Sequence, residues 1–158
     1  MVLLVVCFVM TSVVCAADEV KNSNEAENDK LEFETNILAK VLFRECRGIP
    51  SETEQAAVAW VVLNRVDSED YPDNVEDVVK QEHQFAWVED TPVTDELYAL
   101  AKDVLCRYKW EKLGFEDVGR VIPRDYFWFA GRDGRNTFRN RFRTSKRWDF
   151  SWETPYDS

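Results

Sequence analysis

One carboxylate in this chain stands where an acid catalyst would be placed. Glu45 closes the segment Ile37-Leu38-Ala39-Lys40-Val41-Leu42-Phe43-Arg44-Glu45, and counting back from it by 4, 7 and 8 residues gives Val41, Leu38 and Ile37. On a helix the acid therefore shares its face with branched aliphatic side chains. A carboxyl in such a setting is partly desolvated, and desolvation favours its protonated form. A general acid needs that form at neutral pH, because the proton must still be there when the leaving oxygen arrives. The competing use of the same position is a glutamate that simply turns to water as its helix ends. Asn64 and Arg65 close a second apolar run, Ala56 to Leu63, and polar groups there need partners. They either cap and pack neighbouring loops, or contact a substrate and orient Glu45.

The elements that would hold these residues follow from periodicity and punctuation. Thr35 or Asn36 caps a first helix that stops at Gly48, with Pro50 beyond it. Ser51-Glu52-Thr53-Glu54 is a capping box that starts a second helix, running to about Val66 and apolar nearly all round, hence central and buried. Asp73-Asn74-Val75-Glu76 opens a short third helix with Val75, Val78 and Val79 inward. Thr94 caps a long amphipathic one whose inner face carries Leu97, Ala101, Val104, Leu105 and Tyr108, ending before Gly114. Asp125 to Ala130 reads as a strand, 131–134 as a turn, and Asn136 to Arg143 alternates like a second strand, so the two form a β-hairpin closing one side of a cleft. Trp148, Trp152 and Tyr156, four residues apart, suit a tail that docks back. The expected class is α+β, mainly α-helical, with a small C-terminal hairpin.

Glu45-Cys46-Arg47-Gly48, followed by Gln55-Ala-Ala-Val-Ala-Trp60-Val-Val-Leu-Asn64-Arg65-Val66, resembles the cell wall hydrolase family typified by the SleB spore cortex-lytic enzymes. The resemblance continues through Tyr71-Pro-Asp-Asn-Val-Glu-Asp-Val-Val79 and Gln84-Phe85, and more loosely from Tyr126 to Phe142, covering roughly residues 36 to 142. It implies a lysozyme-like catalytic domain that cuts peptidoglycan as a lytic transglycosylase or muramidase, with Glu45 as the catalytic acid. It also implies that Gln84 lines the cleft and bonds an acetamido group, while Phe85 or Trp87 offers a face for a sugar ring, with Asn64, Arg65 and Tyr126 as further substrate contacts. Two residues depart from the family pattern: Cys46 replaces the usual Ala, and Ile49 stands where many members carry a second Glu.

Glycoside hydrolysis usually takes two carboxylates, whereas a lytic transglycosylase needs one, which serves as acid and then as base while the muramic 6-hydroxyl attacks its own C1. Glu52, Glu54 and Asp125 are available as a second carboxylate, but the capping box already accounts for Glu54. The balance favours ring closure to a 1,6-anhydro end. A zinc amidase cutting the peptide stem is the rival enzyme; it needs several His or Cys ligands, and the chain has a single histidine, His83. No nucleophile motif surrounds Ser51, Ser68 or Cys106. A non-catalytic wall-binding domain is the third reading. No cofactor or metal is expected.

Length and composition set the remaining bounds. A chain of 158 residues with 45% hydrophobic and 13% aromatic content is globular and holds one catalytic domain, 34–158. Residues 1–16 are uncharged and apolar and end in Val14-Cys15-Ala16, as a signal peptide or a weak anchor would; residues 17–33 read as a flexible acidic lead-in. The expected location is secreted, periplasmic or in the cell wall, a setting shared by phage endolysins. Without that leader Cys46 and Cys106 remain, and pairing them would stabilise by about 4 kcal/mol in the chain-entropy model; a buried free thiol at Cys46 is the alternative. Net charge is −10, yet 120–147 is rich in arginine, as suits an anionic polymer. Wall glycan strands fit an exported protein better than nucleic acid. A monomer is expected.

Overall fold

The computed structural model describes residues 3–142 and 147–156, with side chains from residue 21 onward. It is mainly helical with one small antiparallel hairpin, in the order α1 (Leu3–Glu45), α2 (Glu52–Val66), α3 (Val75–Lys80), α4 (Asp95–Lys112), β1 (Trp128–Arg132) and β2 (Arg135–Arg139). Two compact units divide the chain, residues 1–33 and residues 34–158.

The first unit is helical throughout its described length, and residues 21–30 are exposed. Residues 17–33, read above as a flexible lead-in, are thus helical, and Thr35 and Asn36 lie inside α1 rather than capping it. The reason is an absence of breakers: no Gly or Pro occurs before Gly48, and Glu25, Ala26, Glu27, Lys30 and Leu31 are good helix formers. Among the described residues no helix is long and apolar enough to cross a membrane.

In the second unit, α2 is the central element. Ser51 Oγ accepts the Glu54 N–H at 3.2 Å, and from Ala56 to Arg65 every side chain is buried, Trp60 included. Around it lie Ile37, Leu38, Val41 and Leu42 of α1, Val75, Val78 and Val79 of α3, and Leu100, Ala101, Val104 and Leu105 of α4. Leu100, not Leu97, completes the inner face of α4. Caps fall where the sequence places them, Asn74 on Asp77 N–H at 2.9 Å and Thr94 on Leu97 N–H at 3.3 Å.

The hairpin turns more tightly than its sequence suggests. Arg132 pairs with Arg135, leaving Asp133 (φ 54°) and Gly134 (φ 74°) as a two-residue turn with positive φ at both positions, the primed geometry that matches strand twist. β2 ends at Arg139, so the alternation read out to Arg143 breaks early: Phe138 is fully buried while Phe142 is 62% exposed. Residues 143–146 lie outside the described residues. The tail docks as expected, with Trp148 Nε1 donating to Val121 O at 2.9 Å and the Tyr156 hydroxyl to Asp103 at 2.9 Å.

Candidate active site

Glu45 is the last residue of α1, half-buried, and the chain turns sharply after it. Cys46 still donates to Leu42 O, Ile49 N–H then returns to Cys46 O at 3.0 Å, and Gly48 takes φ 73°. The Gln55 amide locks this turn from α2 by donating to Ile49 O at 2.8 Å. Glu45 Oε1 accepts the backbone N–H of Ala86 at 2.6 Å, and Arg44 Nε donates to the Ala86 carbonyl at 3.2 Å. One turn earlier, Lys40 Nζ donates to Glu89 O at 2.7 Å. Three neighbouring side chains of α1 thus hold the segment 86–89 against the end of their helix.

Arg65 holds the same loop from the other side. Its guanidinium lies between the rings of Tyr71 and Phe85, 5.1 and 4.9 Å from their centroids. Nε and Nη2 donate to Phe127 O, and Nη1 donates to Gln84 Oε1 at 3.0 Å. Burial pulls its pKa down and the neighbouring Tyr71 works against that shift. Because Arg65 occupies the carboxamide oxygen of exposed Gln84, the amide nitrogen is the end left to face outward. Phe85 packs against Phe129 of β1 at 6.1 Å, and half-buried Trp87 lies under the ammonium groups of Lys40 and Lys80, each 5.6 Å from its ring centre.

The hairpin borders Glu45 on its remaining side. A Cβ placed on Gly134 would lie 3.4 Å from Gly48 O, so the hairpin tip rests on the turn that follows the acid. Asn136 N–H donates to Glu54 Oε2 at 2.6 Å. Burial first, and then the Glu45 and Glu54 carboxylates, push the Cys46 thiol up to about 12. Glu54, in the first turn of α2, thus fastens strand β2 to that helix.

The structure thus gathers Glu45, Gln84, Phe85, Trp87 and Arg65 and sets Asn64 and Tyr126 apart. Asn64 is 1% exposed, its amide donating to Pro123 O and Tyr126 O and its oxygen accepting from Arg120, each within 2.9 Å. Those bonds tie the segment 120–126 to α2 from inside the fold. Arg65, 3% exposed, positions Gln84 and Phe85 from behind. Tyr126, 8% exposed, packs edge-on against Trp148 at 5.6 Å. Sequence reading missed Arg44, Lys40, Phe129 and Asn136. Only Asn136 had a signal, sharing strand parity with Phe138. The arginine-rich stretch is also no continuous face, since Arg120 and Arg124 pair with Glu111.

A cavity of about 1340 Å³ lies elsewhere, between α4, the segment 115–124 and the tail, and includes none of these site residues. Cys46 and Cys106 are both free. Among the described residues no group of three or more His, Cys, Asp or Glu side chains is placed to hold a metal ion.

Residues 50–115 match the cell wall hydrolase family. The matched span takes in α2, α3, the Gln84–Trp87 loop and α4, so the resemblance read from the sequence holds over the scaffold, and Glu45 stands just ahead of it. The match supports a wall-hydrolysing enzyme in general terms and a secreted or wall-associated setting. No curated protein and no solved structure matches the chain.

Proposed function

We propose that this protein cleaves the glycan strands of peptidoglycan, with Glu45 as general acid and then general base. The observation that carries the reading is the fixed carboxyl at the end of α1. Its Oε1 is committed to the Ala86 N–H at 2.6 Å, so Oε2 is the oxygen that holds and delivers the proton. Delivered to the bridging oxygen, that proton lets the C1–O bond break without expelling an alkoxide. The carboxylate left behind then takes a proton from whichever hydroxyl or water closes the reaction at C1.

The surroundings suit a sugar chain. Gln84 presents its amide nitrogen to an acetamido or hydroxyl oxygen, and the rings of Phe85 and Trp87 offer apolar faces to pyranose rings. Arg65 acts as a positioning residue, holding Gln84 and Phe85, while Asn64 and Tyr126 pack the fold beside it. The amidase reading has only His83 to draw on, and that side chain sits exposed in a loop beside Glu82.

The test is the Glu45→Gln variant of the full chain on purified peptidoglycan. Glutamine keeps an oxygen for the Ala86 N–H but has no acidic proton, so the variant should fold and lose solubilising activity by about 10²-fold to 10⁴-fold. Retained activity would move the chemistry elsewhere, and stem peptides released from intact glycan would establish the amidase. A wild-type chain that binds the wall without turnover would make it a binding domain.

A further inference from the structure

The Gln84 side chain has chemically opposite ends, a carbonyl oxygen that only accepts and an amide nitrogen that only donates. Which end meets a ligand is decided by Arg65. A guanidinium has donors and no acceptor, and Arg65 Nη1 lies 3.0 Å from the Gln84 carboxamide, so the oxygen must be the end turned toward it. Arg65 is itself held in place. It is 3% exposed, its Nε and Nη2 donate to Phe127 O at 3.0 and 2.7 Å, and the rings of Tyr71 and Phe85 lie against it. Gln84 is exposed, and its amide nitrogen has no hydrogen-bond partner among the described residues.

This outward donor belongs to the same loop as the bond that orients the acid. The Gln84 N–H donates to Gln81 O at 3.2 Å, and the Ala86 N–H donates to Glu45 Oε1 at 2.6 Å, so the loop is pinned on either side of Phe85. A fixed donor discriminates between the states of an amino sugar's nitrogen. An N-acylated sugar presents a carbonyl oxygen, which accepts. A free amine is protonated in weakly acidic water and presents only N–H groups, so donor would face donor, with the Arg65 cation behind the amide as a further repulsion. Glu82, a carboxylate of the same turn, is 87% exposed beside His83, where solvent screens it.

We propose that Arg65, by fixing Gln84 as a donor-only contact, makes the enzyme selective for N-acylated glycan, so that walls whose amino sugars carry free amines resist it. The proposal deepens the reading of Glu45 as a glycan-cleaving acid and rests on it. Arg65 is a positioning residue here, because it acts through Gln84.

The test gives the full chain purified peptidoglycan as isolated, after enzymatic N-deacetylation, and after re-acetylation of the deacetylated sample with acetic anhydride. At about pH 6, where an amine of α-amino basicity stays protonated, wild type should solubilise the untreated and re-acetylated walls at least about 10-fold faster than the deacetylated one. Gln84→Glu keeps an oxygen for Arg65 Nη1 and turns an acceptor outward in place of the donor. It should melt like wild type, and its ratio of rates on acetylated and deacetylated wall should fall by about 10-fold or more, because a carboxylate accepts from an ammonium. The ratio is read within one protein, so a general loss of activity cancels from it. Equal wild-type rates on all samples would overturn the proposal while leaving Glu45 as acid. So would a preference that survives unchanged in Gln84→Glu, which would place the selectivity in the chemistry at C1. Solubilisation by Glu45→Gln at the wild-type rate would instead overturn the reading beneath it.

Discussion

Glu45 and Ala86 are joined by a 2.6 Å hydrogen bond across 41 residues of chain, from a helix terminus to a loop. Arg44 completes the contact by donating to the carbonyl of the same residue. The acid is therefore oriented by the loop that carries Gln84 and Phe85, and the loop by the helix that carries the acid.

Removing one half of this contact should separate rate from stability. In Arg44→Ala the loop keeps its bond to Glu45 but loses the counter-bond at Ala86 O. Small misplacements of catalytic groups are expensive, up to about 10²-fold for 1 Å. We expect kcat to fall by about 10-fold, with a stability change under about 1 kcal/mol because the lost bond is exposed. Kinetics on soluble glycan fragments and a urea melt together check this, and a large stability loss with unchanged kcat in the folded fraction would contradict it.

Asn64 should behave in the opposite way. Asn64→Ala deletes one partner each of Arg120 Nη1, Pro123 O and Tyr126 O in a buried site; Arg120 Nη1 keeps Ile122 O and Pro123 O keeps the Tyr126 N–H, whereas Tyr126 O is left unpaired and the retained bonds lose their shared anchor. Each buried group left unpaired costs about 1–3 kcal/mol, so we expect a loss of about 3 kcal/mol in a denaturant melt. Activity per folded molecule should stay within a few-fold of wild type. Loss of turnover at full stability would show that Asn64 meets substrate after all.

The contrast between these two residues shows where sequence reading succeeds. The caps at Ser51, Asn74 and Thr94 and the buried character of α2 were legible because each follows from local spacing or a single side chain bonding its own backbone. Whether Asn64 faces a ligand or a loop depends on where residues 120–126 come to rest, and nothing within α2 records that. Glu54 was misjudged differently: a local motif accounted for its backbone and concealed a long-range contact of its carboxylate. The helical run through 17–33 was missed because exposed polar residues give no apolar period, although good helix formers without Gly or Pro sustain a helix there.

Cys46 should be chemically silent in the native protein. Burial, reinforced by Glu45 and Glu54, pushes its thiol up to about 12, so almost none is thiolate at pH 8, and the thiolate is what alkylating reagents attack. Iodoacetamide should label the Cys46 peptide only as fast as the protein unfolds, and guanidinium should release it. Native labelling at the rate of an unfolded peptide would contradict the burial of Cys46.

Acid stability should depend on Glu111, whose side chain is 8% exposed and bonded by Arg120 and Arg124. Burial alone would raise its pKa, but the two guanidinium groups outweigh burial and hold it below the usual carboxylate value. A depressed folded-state pKa contributes stability that is fully present above the unfolded value, about 4.3 for Glu. That stability is lost as pH falls through the folded value, because the unfolded chain binds the proton first. In Glu111→Gln this contribution is absent at every pH. The variant should be less stable than wild type at pH 7, by about 2 kcal/mol for a buried charge-assisted network, and the gap should narrow as pH drops below about 4.3. Denaturant melts at pH 7, 5, 4 and 3 measure it (~1 pH unit steps through the carboxylate range). A gap that stays constant across that series would mean that Glu111 stabilises by packing alone and that its ion pairs with Arg120 and Arg124 contribute nothing.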